Sequence, residues 1–193
     1  MSAREEKLRA VASGRRRGIR LVLEDIHDPH NAGAILRTAD AFGIQEVWFV
    51  FVQEKVYNPR RVGRGSSSSA NKWLSFRTFT TTSACFDALE ADAYTSFATT
   101  PRASEDVHNL SFATLPRVAL WVGNEHRGLS EEALARASMR IHFPMRGMVE
   151  SLNVSVATAL FIEAVMQGRI HAGTDERLEP AEIEALAQEF LAR

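Results

Sequence analysis

Short runs of β-branched and large apolar residues alternate along this chain with stretches whose apolar positions recur every three to four residues. Residues 19–23 (IRLVL) read as a buried strand, and residues 34–42 as a helix with one apolar face. A second strand is predicted at 47–52. The pattern then breaks: residues 57–72 (YNPRRVGRGSSSSANK) are polar, basic and rich in glycine and serine, which predicts a loop. Further strands are predicted at 74–79, 94–98 and 118–122, with a helix at 83–90. Ser130 is a good N-cap for a helix with Glu131 and Glu132 in its first turn. A short last strand at 141–143 leads to a long apolar helix at 152–166, with Ser151 as its expected cap. A final amphipathic helix starts at Pro180, in the N1 position, with Ile183, Leu186, Ala187 and Phe190 on one face.

Such alternation predicts an α/β fold, a mostly parallel sheet with helices on both faces. Ligands of such sheets bind in loops beyond the strand C-termini. Three late loops qualify: residues 98–101, 123–125 and 144–151.

Composition changes the picture in three ways. With 193 residues, 45% of them apolar, the chain can bury one sizeable core. The lone Cys85 leaves no internal disulfide framework and predicts a reducing, cytoplasmic setting. No apolar run approaches the ~18 residues of a membrane span, so no membrane partner is expected.

Charge changes it further. The net charge of −1 argues against a nucleic-acid partner, but the charges are segregated. Arg4, Lys7, Arg9, Arg15, Arg16, Arg17 and Arg20 crowd the N-terminus. Lys55, Arg60, Arg61, Arg64, Lys72 and Arg77 follow in a stretch free of acids, while Asp175, Glu176, Glu179, Glu182, Glu184 and Glu189 collect at the C-terminus. This distribution suits a phosphate backbone, with Arg15, Arg16, Arg17, Arg60, Arg61 and Arg64 as candidate RNA contacts; an unevenly charged solvated surface is the plainer alternative.

Three stretches carry candidate chemistry. Residues 30–43 (HNAGAILRTADAFG) hold Asn31, a suitable cap, and Arg37, whose planar fork suits a phosphate or carboxylate. Residues 122–130 (VGNEHRGLS) end a strand in Gly123, where backbone can approach a ligand, and place Glu125 at the rim. Residues 144–160 (PMRGMVESLNVSVATAL) join an irregular loop with apolar Met145, Met148 and Val149 to a helix start bearing Ser151 and Asn153. Taken singly, Arg37 reads as a surface ion-pair partner, Asn31 and Ser151 as caps, and the methionines as core filling. A strand-to-helix turn accounts for Gly123 but not for Glu125. The six histidines are scattered around one cysteine, so no metal site is expected, and there is no Walker lysine or G-x-S-x-G elbow.

Together, and in this order, the three stretches resemble the signature motifs of the SPOUT (SpoU/TrmH-type) RNA ribose 2′-O-methyltransferases. The resemblance runs from about residue 21 to 169, includes NKW at 71–73, and is closest to the TrmH-type tRNA guanosine 2′-O-methyltransferases. It implies a SPOUT domain over residues 19–173 with a deep C-terminal trefoil knot, which the general rule against knots does not anticipate. Residues 1–18 become a basic N-terminal appendage and 174–193 a C-terminal helical one. It implies S-adenosylmethionine (AdoMet) as cofactor, lined by Thr99, Gly123, Phe143 and Leu152, with Asn31, Arg37, Glu125, Ser151 and Asn153 at catalytic and substrate positions. A homodimer with its active site completed across the interface is implied too. Arginine holds its proton too firmly to be an easy base, so Arg37 is read as clamping the target phosphate and stabilising the developing alkoxide. Glu150 stands where the family pattern has a neutral glutamine. The short appendages favour tRNA, at a D-loop guanosine, over rRNA; a catalytically silent RNA-binding or assembly factor is the rival reading.

Overall fold

The computed structural model describes residues 2–62, 70–112 and 115–193. Seven strands form one sheet: β1 (Arg16–Glu24), β2 (Ile44–Val50), β3 (Ser75–Phe79), β4 (Thr95–Thr99), β5 (Glu105–Asp106), β6 (Val118–Val122) and β7 (Met139–His142). Their spatial order is β3-β2-β1-β6-β4-β7-β5, and every neighbouring pair is parallel. The helices are α1 (Ala3–Ser13), α2 (Pro29–Ala41), α3 (Thr82–Ala91), α4 (Glu131–Arg136), α5 (Val154–Ala172) and α6 (Pro180–Leu191).

Alternation along the strands feeds two cores. Leu21, Leu23, Val47, Phe49, Phe97, Leu120 and Val122 pack against Ile35, Leu36 and Ala39 of α2 and Phe161, Ile162 and Val165 of α5. The intervening Val22, Trp48, Val50, Ala98 and Trp121 pack on the other face against Cys85, Phe86 and Leu89 of α3 and Ala133 of α4. Phe86 lies stacked on Trp121 at 4.2 Å between centroids. Each fully buried Leu, Ile or Phe contributes roughly 1.5–3 kcal/mol. The sheet thus has helices on both faces, as the alternation predicts.

A third, small core joins the two ends of the chain: Leu8 and Ala12 of α1 meet Ala187 and Phe190 of α6, with Trp73 against Phe190. The sequence pattern missed α1 because its apolar residues are mostly alanines and only Leu8 and Ala12 are buried. The first strand begins at Arg16, inside the segment expected as an appendage. Arg169, buried in α5, ties this end together by donating to the carbonyls of Leu115, Pro116, Arg17 and Thr174. Gly18, at φ +71, leaves room for that cluster of carbonyls, since a Cβ there would lie 2.1 Å from the Pro116 oxygen.

Candidate active site

Strands β1, β6, β4 and β7 are parallel neighbours, so their C-terminal ends open on one edge of the sheet. Two acids, Glu24 and Asp25, close the apolar run of residues 21–23 at the end of β1. Glu24 is buried and accepts from the Thr82 hydroxyl (2.6 Å), the Ser130 amide (2.7 Å) and the Ser130 hydroxyl (2.9 Å). Ser130 meanwhile caps α4 through the Ala133 amide. Asp25, at φ +52, turns the chain sharply. Its carboxylate collects the amides of Val52, Gln53 and Glu54, and its carbonyl accepts from Asn124 Nδ2 at 2.8 Å. A non-glycine residue at positive φ is held there only by surroundings that over-determine it. These bonds supply that hold.

The turn made by Asp25 aims the next amides at Glu125. The Glu125 carboxylate accepts from the backbone of His27 (3.0 Å) and Asp28 (3.1 Å) and from Asn31 Nδ2 (2.9 Å). Burial opposes its ionisation, but Asn31 and the amides of His27, Asp28 and Glu125 itself outweigh burial and hold it below the usual carboxylate range. Asn31 Oδ1 in turn accepts from Asn153 Nδ2 at 3.0 Å. Asn153 Oδ1 caps α5 through the Ser155 amide (2.9 Å) and also binds the Ser155 hydroxyl (2.6 Å). Glu125, Asn31 and Asn153, 122 residues apart at the extremes of the Asn pair, thus form one hydrogen-bonded chain.

Two expected caps are corrected by this geometry. Asp28, not Asn31, caps α2, with Pro29 in its first turn, which frees the Asn31 side chain for Glu125 and Asn153. Asn153, not Ser151, caps α5. Ser151 is exposed and bonded to none of the described residues. Arg37 lies six residues beyond Asn31 on the exposed side of α2 and makes no hydrogen bond or ion pair with the described residues, so its whole fork is available.

The loops beyond β4, β6 and β7 suit a flat, hydrogen-bonding ligand such as AdoMet. Residues 144–152 form no hydrogen bond with other described residues, so their backbone donors and acceptors are uncommitted. Half-buried Leu152 and Phe143, the latter edge-on to Phe161 and His108, supply apolar walls. Thr99 Oγ1 is committed to the Trp121 carbonyl. Gly123 has a different reason to be glycine: a Cβ would lie 2.3 Å from Gly128, inside the tight 124–128 turn that presents Glu125.

The basic residues divide. Arg15 does not face RNA as its charge alone suggests: its side chain is 1% exposed and bonded to Asp40 and to the Asp40 and Ile44 carbonyls. Arg16 is paired with Asp175, and Arg17 with Glu182 and Glu179. Arg16 and Arg17 therefore pair with C-terminal acids, and Arg15 with α2. Arg60 and Arg61 are exposed at the base of the basic loop, where Asn71 holds the Arg60 and Val62 carbonyls. Arg64 lies outside the described residues. Sequence reasoning missed Glu24, Asp25 and Glu54, the side chains that build the turn; the signal was two acids closing an apolar strand. Among the described residues no group of three His, Cys, Asp or Glu could hold a metal, and no helix is long and apolar enough to cross a membrane.

Comparison with known proteins places the chain in a family. Residues 18–163 match the SpoU rRNA methylase family. The chain is 34% identical over 194 residues to a tRNA (guanosine(18)-2′-O)-methyltransferase of Thermus thermophilus, covering 99% of this chain and 97% of the relative. The structure resembles the TrmH/SpoU tRNA modifying enzyme of A. aeolicus with a TM-score of 0.85 at 26% identity, over 98% of this chain and 95% of the other. It also resembles the SpoU methyltransferase AviRb of Streptomyces viridochromogenes in complex with AdoMet, with a TM-score of 0.71 at 25% identity, over 81% and 59% of the two chains.

Proposed function

Because this chain belongs to the SpoU methylase family, we propose that it transfers a methyl group from AdoMet to a ribose 2′-hydroxyl of tRNA, at a guanosine of the D-loop. The Glu125–Asn31–Asn153 chain carries the proposal, because it ties the three signature stretches into one site. End-to-end similarity to the Thermus tRNA enzyme, including the region of α1 and α6, supports tRNA over rRNA.

When bound, AdoMet supplies an electrophilic methyl on a sulfonium. Transfer of that methyl to a ribose 2′-oxygen would be an in-line displacement, with the hydroxyl proton going to a phosphate oxygen or water. Such a displacement needs alignment above all. In our reading Asn31 and Asn153 hold the start of α5 against the 26–31 turn, so the cofactor loop and the RNA-facing helix keep one register. Glu125 organises that turn and has little capacity left for a base. Arg37, with no partner among the described residues, clamps the target phosphate and stabilises the charge growing on the 2′-oxygen. Thr99, Gly123, Phe143 and Leu152 line the cofactor, Ser151 borders the target ribose, and Arg60, Arg61 and Arg64 contact RNA.

The proposal includes a homodimer working in the cytoplasm, and the deep knot implied by the family resemblance. Met148 (100% exposed), Val149 (61%), Val156 (49%) and Ile170 (47%) lie on the 144–152 loop and α5, an apolar surface that a second copy would cover. Sedimentation at micromolar concentration tests the dimer. Labelled AdoMet offered with unmodified tRNA or rRNA in separate reactions tests the substrate: incorporation into tRNA alone is expected, and incorporation into rRNA alone would reassign it.

A further inference from the structure

Beside the Glu125 chain lies a second cluster that the proposed chemistry does not use. Glu54, on the loop after β2, holds His27 Nδ1 on one oxygen at 2.8 Å and Arg127 Nη2 on the other at 2.8 Å, with Asn124 Nδ2 at 3.4 Å. The carboxylate is only 18% exposed, whereas the His27 and Arg127 side chains are 63% and 47% exposed. Their remaining N–H groups have no partner among the described residues. The cluster is fixed to the active site through the backbone: the His27 amide binds Glu125, and Arg127 follows Glu125 by two residues in the same turn.

We infer that His27 and Arg127, yoked by Glu54, grip an RNA phosphate beside the target ribose. The inference rests on the RNA methyltransferase reading. Protonated histidine and arginine are donors only and a phosphate is acceptor only; the O6/N7 edge of guanine is acceptor-only too, but only the phosphate also carries the negative charge that suits two cationic donors. The buried yoke pre-orders both donors. The Glu54 hydrogen bond and charge raise the His27 pKa and Glu125 adds to this, against burial and Arg127, so His27 stays cationic further into the neutral range. The grip is therefore present at lower pH and lost as pH rises through that raised value.

The test measures methyl transfer to, and equilibrium binding of, an unmodified tRNA transcript by the wild type, His27→Gln, Arg127→Gln and Glu54→Gln, with thermal melts as a folding control. Each His27 or Arg127 change should raise Kd and KM for tRNA severalfold, leave AdoMet affinity alone, and make the log K versus log salt slope shallower by about one. Wild-type Kd should rise as pH increases through the raised His27 value, His27→Gln should show no such rise, and Glu54→Gln should move the inflection to lower pH. Unchanged Kd and slope in folded His27→Gln and Arg127→Gln would overturn the inference. Absence of methyl transfer by the wild type would count against the function alone, because the binding arm still decides the contact.

Discussion

Replacing Glu125 by glutamine removes one charge and one acceptor from the centre of the site. Three donors converge on the carboxylate, two of them on Oε1. A glutamine that keeps its carbonyl toward Asp28 and Asn31 must turn its NH2 toward the His27 amide, donor against donor; the flipped rotamer loses two bonds instead. The least loss is one charge-assisted hydrogen bond, about 1.5–3 kcal/mol when well buried. Glu125 is half-buried, so solvent screening lowers this to roughly 1–2 kcal/mol. For a domain of this size that is about 2–8 °C in Tm. The folded-state pKa of Glu125 is depressed, so its stabilisation is full above the ordinary carboxylate range and fades as pH falls through the depressed value. Melts of wild type and Glu125→Gln should therefore differ at pH 7 and converge as pH falls below the depressed Glu125 value, while tRNA methylation at pH 7 falls at least about tenfold because Asn31 loses its anchor. An inactive variant with an unchanged Tm at pH 7 would refute this reasoning and make Glu125 a direct contact of the substrate.

Other changes separate roles that the sequence groups together. Arg37→Ala should lower methyl transfer by about 10²–10³ with AdoMet affinity nearly constant by calorimetry, since the arginine touches no cofactor loop. Arg15→Ala strands Asp40 and two carbonyls; it should cost about 3 kcal/mol or more by denaturant melt and leave the salt slope of tRNA binding unchanged. Paired neutralisation of Arg60 and Arg61 should do the reverse, flattening the slope with little effect on melting. Arg169→Met leaves four backbone carbonyls without their donor and should destabilise by roughly 3 kcal/mol or more, read by melting.

The fold was legible because burial on both faces of a parallel sheet writes continuous apolar runs, as in β6 and in residues 21–23 of β1. What escaped was decided by contacts distant in sequence. Whether Asn31 caps α2 or reaches Glu125 depends on Asp28 arriving first at the helix start, and nothing local ranks the two. Arg15, Arg16 and Arg17 look like a basic patch until Asp40, Asp175 and Glu182 fold back onto them. The two-residue β5 is too short for any period to register. Within the site, the residue types of the Glu125–Asn31–Asn153 chain stood out in sequence, while their linkage, and the Asp25 turn that permits it, required the fold.

The most direct test of the central claim asks which atom receives the methyl group. Unmodified tRNA incubated with the purified protein and AdoMet, then digested to nucleosides and resolved by mass spectrometry, should yield 2′-O-methylguanosine as the one new nucleoside. A methyl group on a base, or no new nucleoside from a protein that binds both AdoMet and tRNA, would contradict it.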